Sequence, residues 1–202
     1  MKLKSSFYLR KDVVQISKDL LGKYLFTNIN NNLTAGIITE TEAYIGITDR
    51  ASHSFGNRRT NRTEIMYAKG GAAYVYICYG IHHLFNVVTN DKDIPDAVLI
   101  RAIHPIIGID IMKQRRNKTI VDKAFSNGPG TAAIALGIDI SLNGFSLLED
   151  RIWIEDKGII IPEKDITIGP RVGVESAGAD GLLLYRFRVL NIGNKGYKGI
   201  GE

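Results

Sequence analysis

The sequence predicts an α+β fold: a single compact domain spanning residues 1–202, with a largely antiparallel, curved sheet, surrounding helices and a protruding β-hairpin. Three observations support this prediction. Short runs rich in Val, Ile, Tyr and Phe lie between turn-prone segments, which is typical of strands. Apolar residues at helical spacing are confined to a few segments. Strands and helices do not alternate regularly along the chain, which favours an antiparallel sheet.

The first third of the chain predicts one helix, two strands and a loop. A helix is predicted over residues 10–23, where apolar side chains recur at helical spacing and Gly22 suits a C-cap. Residues 23–28 and 33–44 are predicted strands, and the asparagine-rich segment between them favours a turn. Residues 50–63 form a polar, arginine-rich stretch without periodicity, which predicts a loop.

The remaining elements follow from the same patterns. The predicted strands are 72–80, 85–89, 96–103, 151–156, 166–174 and 184–190. Helices are predicted over 106–118, with basic residues near the C-terminal end, and after a glycine turn within 127–138. The glycine-rich C-terminal tail is expected to fray.

Composition narrows the possible classes of function. The net charge of +5 and pI near 9.2 suggest a polyanionic partner. Cys78 is the only cysteine, which excludes a disulfide framework and a cysteine-based zinc site. The histidines have no metal-like spacing, so we expect no metal. No apolar run approaches transmembrane length, and the N-terminus has no signal-like apolar region, so we expect an intracellular protein.

The segment ETEAYIG, residues 40–46, places two carboxylates where an apolar strand is predicted to emerge from the core. Strand alternation puts Glu40, Glu42 and Tyr44 on one face. Two interpretations are open from this pattern alone. The glutamates are solvated side chains at the end of a hairpin, or Glu42 is an exposed reactive group that water reaches.

Six segments occur together in an order and spacing that resemble one known family. They are ETEAYIG (40–46), ASHSFGNRRTNR (51–62), AYVYICYGIHHLFNVVT (73–89), AVLIRAIHP (97–105), NGPGTA (127–132) and GPRVGV (169–174). From about Leu9 to Val189 the chain resembles the alkyladenine DNA glycosylase family, also known as 3-methyladenine DNA glycosylases. One segment alone is a weak indication, whereas six in register are specific.

This resemblance implies a monofunctional DNA glycosylase of base excision repair. Such an enzyme flips an alkylated or deaminated purine, such as 3-methyladenine, hypoxanthine or ethenoadenine, out of duplex DNA and hydrolyses its N-glycosidic bond, which leaves an abasic site. The resemblance implies no cofactor, no metal and no covalent intermediate. It also implies double-stranded DNA with damaged purines as the partner, no membrane, a monomer and a cytoplasmic location, associated with the nucleoid if the source is bacterial.

The resemblance also assigns the catalytic residues. Breaking the C1′–N9 bond builds positive charge on the sugar, so the site needs negative charge and a base that deprotonates water. Glu42 corresponds to that base. Arg101 corresponds to the residue that orients Glu42, keeps it ionised and holds the water, with the backbone carbonyl of Val172 as a third contact. A strand-end arginine paired to any nearby carboxylate is the alternative for Arg101, and Glu40 is interpreted as a bystander.

Purine recognition calls for flat apolar surfaces with a few polar contacts. The resemblance implies that Tyr44 and Tyr76 stack on the flipped base and that His53 reads its edge. Further pocket positions are Ala51, Leu99 and Asn86, the last of which crowds the 2-amino group of guanine. On pattern alone, a surface-loop histidine is the favoured interpretation of His53, and Leu99 is equally a core residue.

Contacts with the duplex are assigned in the same way. Strand alternation puts Tyr74 and Tyr76 on one face and Tyr79 on the other, beside Gly80, which suits the tip of a hairpin. Tyr79 corresponds to the family's intercalating tyrosine, which fills the gap left by the flipped nucleotide. Arg58, Arg62 and Arg116 are the expected phosphate contacts. The alternative for this basic cluster is a solvated surface.

Two other classes of function remain open at this point. A non-catalytic nucleic-acid-binding domain could keep the same fold, and the joint presence of Glu42, Arg101 and Tyr79 argues against it. A hydrolase of free nucleosides also needs a carboxylate and aromatic stacking, but it has no use for Tyr79 at a hairpin tip or for the arginine loop.

Overall fold

The computed structural model describes residues 1–190 and Ile192, so the predicted fraying of the C-terminal tail lies outside the described residues. Four α-helices are described: α1 (Ser5–Tyr8), α2 (Val13–Asp19), α3 (Ile109–Arg116) and α4 (Pro129–Leu136). Eight strands are described: β1 (Tyr24–Ile29), β2 (Asn32–Tyr44), β3 (Ala73–Cys78), β4 (His82–Thr89), β5 (Asp96–Ile107), β6 (Ile152–Glu155), β7 (Ile166–Gly169) and β8 (Arg186–Val189).

The strands form one 8-stranded sheet in the order β3-β4-β5-β2-β1-β6, with β8 paired to β2 and β7 paired to β8. Every pairing between these strands is antiparallel. The sheet is curved and the helices are few, which confirms the predicted α+β class with a largely antiparallel sheet. The predicted hairpin is formed by β3 and β4.

Strand β2 changes partner along its length. Residues Asn32–Ile37 pair with β1, whereas Glu40, Thr41 and Glu42 pair with β8. The ladder between β2 and β5 is irregular at this point, with register shifts between Ile38 and Glu40 and between Glu40 and Thr41. Bulges of this kind bend a strand and redirect its side chains. The two glutamates therefore lie where the sheet forks.

The main core lies between the sheet and the helices. Asp12 caps α2 by accepting a hydrogen bond from the Gln15 N–H, and the helix lies against β2, where Ser17 bonds to Thr41. A smaller apolar cluster, which contains Met66, Tyr67, Tyr74, Val88 and Ala97, lies under the outer strands. This smaller cluster supports the side of the sheet that carries the residues of interest.

Several element boundaries differ from the prediction. The helix predicted over 106–118 begins at Ile109, because residues 106 and 107 continue β5. The strand predicted over 166–174 ends at Gly169, immediately before Pro170, which has no N–H to donate to a ladder. The segment from Arg171 to Val174 is instead a turn that reaches the centre of the sheet. In the part of the chain that the structure describes, no helix has the length and apolar character needed to cross a membrane.

Candidate active site

A row of directly opposed residues crosses five strands of the sheet. Tyr74 pairs with Asn86, Asn86 with Leu99, Leu99 with Glu42, and Glu42 with Arg186. Opposed residues of neighbouring strands share a face of the sheet, so residues more than a hundred positions apart meet on one surface. We call this row, Tyr74–Asn86–Leu99–Glu42–Arg186, the pocket floor.

Glu42 is fully buried in the pocket floor, with 0% of its surface exposed, so the prediction of an exposed Glu42 is wrong. Its Oε1 accepts a hydrogen bond of 2.8 Å from the Val172 N–H and lies 3.3 Å from Arg101 Nη1. Its Oε2 accepts a hydrogen bond of 2.8 Å from the Tyr44 hydroxyl. Strand β8 also pairs with β2 at this point, so Glu42 lies inside the sheet and not at the exposed strand end that the sequence pattern suggests.

The electrostatics of Glu42 combine one large effect with several opposing ones. Burial raises the pKa of this carboxyl, whereas Arg101, the Val172 N–H and the Tyr44 hydroxyl lower it, and Glu40 raises it further. The net pKa is raised. Arg101 therefore does stabilise the ionised form, as expected, but it does not outweigh burial. A carboxylate with a raised pKa is a stronger base than an ordinary glutamate.

Arg101 lies in the register shift of the β2–β5 ladder between Glu40 and Thr41. From Glu40 to Thr41, β2 advances by one residue while β5 advances from Ala102 to Ile100, so Arg101 has no partner across the ladder. Its Nε donates to Glu40 Oε1 at 3.0 Å. Glu40 is 5% exposed and also lies 3.6 Å from Arg186 and 3.4 Å from Arg188. The interpretation of the two glutamates as solvated side chains is therefore wrong, whereas that of Glu40 as a bystander of the chemistry is not tested by these contacts.

The turn that carries Val172 is fixed by a buried ion pair. Arg171 bonds to Asp49 with both terminal nitrogens and donates to the carbonyls of Ala43 and Asp180. Its guanidinium also lies 4.7 Å from the centre of the Tyr44 ring. Arg171 therefore fixes the N–H donor of Glu42 and covers one face of Tyr44, which leaves the opposite face for a ligand. The carbonyl of Val172, which was the predicted contact, has no hydrogen bond among the described residues, so its role stays a prediction.

An aromatic cavity of about 340 Å³ opens above the pocket floor. The residues that line it include both predicted stacking tyrosines and most of the other predicted site residues: Tyr44, Ala51, His53, Arg62, Tyr76, Tyr79, Asn86, Leu99, Arg101 and Val172. Tyr74, which was not a predicted site residue, also lines it. Tyr44, Arg101 and Val172, which contact the Glu42 carboxylate, form part of the cavity wall. Glu42 therefore lies just beneath the cavity. The combination of flat aromatic walls with a few polar groups is typical of a pocket for a planar base.

His53 is held between two tyrosines. Its Nδ1 lies 2.9 Å from the Tyr74 hydroxyl, and its ring meets the Tyr76 ring edge-on with centroids 4.6 Å apart. Burial, together with the smaller effect of the positive charges of Arg62 and Arg58, lowers the pKa of His53 to about 4. The imidazole is therefore neutral at neutral pH and acts as a polar wall of the cavity rather than as a cation.

Asn86 and Leu99 lie side by side in the pocket floor and are both buried. Asn86 Nδ2 donates to the Tyr74 carbonyl at 3.2 Å, which fixes the plane of its amide. Leu99 is in contact with the cavity as well as with the core, so both interpretations of Leu99 hold in part.

Tyr79 lies at the tip of the β3–β4 hairpin and is 90% exposed. Tyr79 and Gly80 have φ values of 51° and 74°, and this left-handed pair is typical of a tight hairpin turn. The hairpin is braced close to its tip by α4, because His82 pairs with Cys78 beside the turn and a Cβ at Gly130 would lie 3.0 Å from the His82 ring. The tyrosine is therefore presented to solvent by a supported turn, on the edge of the cavity.

The arginines of the loop 50–63 differ in their partners. Arg59 is paired with Glu64 at 2.7 Å and Asp93 at 2.8 Å, whereas Arg58 and Arg62 have no carboxylate partner in the described parts of the chain. Arg58 and Arg62 line a second cavity of about 460 Å³ that adjoins the first. We call the loop 50–63 and the hairpin tip 79–81 the rim. Arg116 lies elsewhere, on α3, where it donates to the carbonyls of Phe125 and Ala124.

Comparison with known proteins agrees with this geometry. Residues 6–192 match the family model of methylpurine-DNA glycosylase. The chain belongs to the methylpurine-DNA glycosylase family. It is 43% identical over 197 residues to a protein of Clostridium perfringens strain 13 and 46% identical over 191 residues to one of Chlamydia felis, and each match covers 94% of this chain and 96% of the relative. Both relatives carry the provisional name 3-methyladenine DNA glycosylase.

Membership of the methylpurine-DNA glycosylase family makes the chain a DNA glycosylase of DNA repair, which is a hydrolase of N-glycosyl bonds. The resemblance to this family that the six sequence segments indicated is thereby confirmed. No cluster of three or more His, Cys, Asp or Glu side chains suited to a metal ion is found within the described residues.

Sequence reasoning missed the residues that support Glu42 and the cavity from behind. Arg171 and Asp49 are 122 positions apart, and no local pattern links them. Arg186 and Arg188 alternate with apolar residues on β8, which is also typical of an ordinary half-buried strand. The segment GPRVGV (169–174) contains Arg171, but nothing in its local pattern indicates that this segment reaches Glu42.

Proposed function

We propose that the chain is a monofunctional glycosylase that flips alkylated or deaminated purines out of duplex DNA and hydrolyses their N-glycosidic bond with a water activated by Glu42. The observation that carries this proposal is the buried Glu42 carboxylate under an aromatic cavity, held by Tyr44, Arg101 and the Val172 N–H. The name shared by the relatives supports 3-methyladenine as one substrate. Hypoxanthine and ethenoadenine are further proposed substrates.

Tyr44 and Tyr76 stack on the flipped purine in this proposal, and His53 meets its edge. Arg171 covers one face of Tyr44, so the ring is held in place before the purine arrives. A pre-formed stacking surface lowers the entropy that is lost on binding. The neutral His53 offers a hydrogen bond without placing a positive charge beside a base that leaves more readily when it is itself positively charged.

The chemical step follows from the position of Glu42. As the C1′–N9 bond breaks, its electron pair leaves with the purine and positive charge develops on the sugar. A water attacks C1′, and Glu42 accepts its proton, so the products are the free base and an abasic site. The raised pKa of Glu42 favours this proton transfer. Because the three partners of Glu42 line the cavity, we propose that the water enters between them, held by Arg101 and the Val172 carbonyl.

Duplex recognition is assigned to the rim. Tyr79 fills the space vacated by the flipped nucleotide, and Arg58 and Arg62 contact phosphates. Their lack of carboxylate partners in the described chain supports this assignment, since an arginine that is already paired gains less from a phosphate. Arg116 remains a proposed phosphate contact with less support, because its guanidinium is bound by two carbonyls.

The decisive experiment is base release. The protein is incubated with duplexes that contain 3-methyladenine, hypoxanthine, ethenoadenine or 7-methylguanine, and abasic sites are then cleaved and counted. Single-stranded DNA and the free nucleosides serve as controls. Release from duplex alone supports the proposal, release from nucleosides would identify a nucleoside hydrolase, and binding without release would identify a non-catalytic domain.

A second measurement tests the monofunctional mechanism. Since Glu42 and Arg101 supply a water-activating pair, no amine of the protein is needed as a nucleophile. Borohydride added during turnover is expected to trap no covalent adduct between protein and DNA. A stable cross-link would overturn this part of the proposal.

A further inference from the structure

Glu40 is the meeting point of three arginines. Its carboxylate lies 3.0 Å from Arg101 Nε, 3.4 Å from Arg188 Nε and 3.6 Å from Arg186 Nη1. The side chain is 5% exposed, and one partner comes from β5 while two come from β8. A buried carboxylate needs partners for its charge, and three guanidinium groups supply them here, so Glu40 is held in a fixed position.

Arg101 is shared between the two glutamates of β2. Its Nε donates to Glu40, and its Nη1 lies 3.3 Å from Glu42. The guanidinium is planar and rigid, so fixing the Nε end also fixes where the Nη1 end lies. Because Arg101 lies in a bulge without a partner across the ladder, its side-chain position depends on such contacts more than that of a regular strand residue.

We propose that Glu40 is a positioning residue: it anchors Arg101 and so limits how strongly Arg101 neutralises Glu42. This inference rests on the proposed role of Glu42 as the general base. Without Glu40, Arg101 would be free to pair with Glu42 alone. A fully paired carboxylate is a weaker base, and the guanidinium would no longer point at the water.

The sign of the expected pH effect follows from the charges around Glu42. The groups that face it or lie near it come from β2, β3, β5, β8 and the 171–174 turn: Glu40, Tyr44, Tyr76, Arg101, Arg186 and Arg171. Helix α2 meets the opposite face of β2, through Ser17 and Thr41. Among these groups, Glu40 is the carboxylate that raises the pKa of Glu42. Removing its charge lowers that pKa, and the freed Arg101 lowers it further.

The test is the pH profile of single-turnover base release for Glu40→Gln and Glu40→Asp. A general base acts only when deprotonated, so the acidic limb follows the pKa of Glu42. In Glu40→Gln the limb is expected to move about one unit to lower pH, with a plateau roughly tenfold lower because a weaker base acts. In Glu40→Asp the charge is kept, so the limb stays, while the shorter side chain displaces Arg101 and lowers the rate by roughly 10- to 100-fold.

Glu155→Gln is the matched control. Glu155 is also a partly buried strand glutamate with an ion pair, to Lys157, but it lies on β6, away from the cavity. Its variant is expected to keep both the limb and the plateau. If part of the Glu40→Gln protein were unfolded, the plateau rate would fall but the acidic limb would stay at the same pH. A shift of the acidic limb therefore distinguishes a positioning role from a purely structural one.

An NMR titration covers the case in which Glu40→Gln is too slow to assay. The Glu42 carboxyl carbon is assigned by its loss in Glu42→Gln, and its titration is expected to move to lower pH in Glu40→Gln. A Glu42 titration that is unchanged in that variant, or a limb that stays in place, overturns the inference while wild-type activity leaves the proposed function standing. A wild-type protein that releases no base overturns both.

Discussion

In the pocket floor and its support, the charged side chains are already paired with one another, whereas Arg58 and Arg62 at the rim have no carboxylate partner among the residues described. Buried charges without partners are costly, so the groups near the scissile bond must be fixed in pairs. Arg58 and Arg62 are exposed, so water stabilises their charge and a phosphate could bind them without displacing a carboxylate. The difference indicates that chemistry and duplex binding are separable, and each prediction below tests that separation.

The largest effect is expected at the pocket floor. Glu42→Gln should slow single-turnover base release by roughly 10²- to 10⁴-fold, which is the usual contribution of a general base. Binding to a duplex with an abasic-site analogue should be nearly unchanged, because the rim is intact. Near-wild-type rates in a folded Glu42→Gln protein would remove Glu42 from its assigned role.

Selectivity within the pocket is expected to change by less. Asn86 is fixed by its bond to the Tyr74 carbonyl, and we propose that it crowds the position of a guanine 2-amino group. Asn86→Ser should raise release of guanine relative to hypoxanthine by about 5- to 150-fold, since roughly 1 to 3 kcal/mol is involved. The measurement is the ratio of the two single-turnover rates.

Asn90→Ser is the control for selectivity. Asn90 is also buried, but it bonds to Asp96 beyond the end of β4 and does not line the cavity. A general loss of protein stability lowers the rates for guanine and hypoxanthine by the same factor, so it does not change their ratio. If Asn86→Ser and Asn90→Ser leave the same ratio as wild type, guanine is excluded elsewhere in the pocket.

At the hairpin tip the expected loss is about tenfold. Tyr79→Ala removes the side chain that we propose fills the gap in the duplex, so the flipped state is expected to lose roughly 1 to 2 kcal/mol of stability. Because Tyr79 is 90% exposed, the melting temperature should not change. Tyr79→Phe keeps the ring and should keep most of the rate. Equal rates for the two variants would contradict a wedge role.

The smallest effect is expected from single rim arginines. Arg58→Gln or Arg62→Gln should each lower the slope of log K against log salt by about one unit. Arg59→Gln is the adjacent control, because Arg59 is already paired with Glu64 and Asp93, and its slope should match wild type. For Arg116→Gln, a slope of log K against log salt that is lower than wild type would indicate a phosphate contact, and an unchanged slope would indicate none. A slope that no rim variant alters would place the DNA on another face.

Strand alternation predicted a substantial part of the site. Tyr76 lines the cavity, Tyr79 lies on the hairpin tip, and Tyr44 bonds to Glu42 two residues away, as period-two geometry requires. These relations are local, and a strand imposes them whatever lies around it. The fold class followed from the same local patterns and the irregular order of elements.

The burial of Glu42 could not be predicted in this way. It depends on β8 and on the 171–174 turn, which come more than a hundred residues later. The bulges at Thr39 and Arg101 also leave no mark in the apolar pattern, because an extra residue in a ladder is a property of two strands together. The strand predicted through 166–174 failed for a local reason, Pro170, whose effect was underestimated.

The bond from the Val172 N–H to Glu42 joins positions 130 residues apart. During synthesis on the ribosome, the strand that carries Glu42 is made long before the turn that supplies its donor, and the arginines of β8 come later still. Closing so long a loop is slow compared with forming hairpins. If Glu42 acts as proposed, catalytic competence is therefore among the last properties that a nascent chain acquires, because it waits for the 171–174 turn and β8 to reach β2.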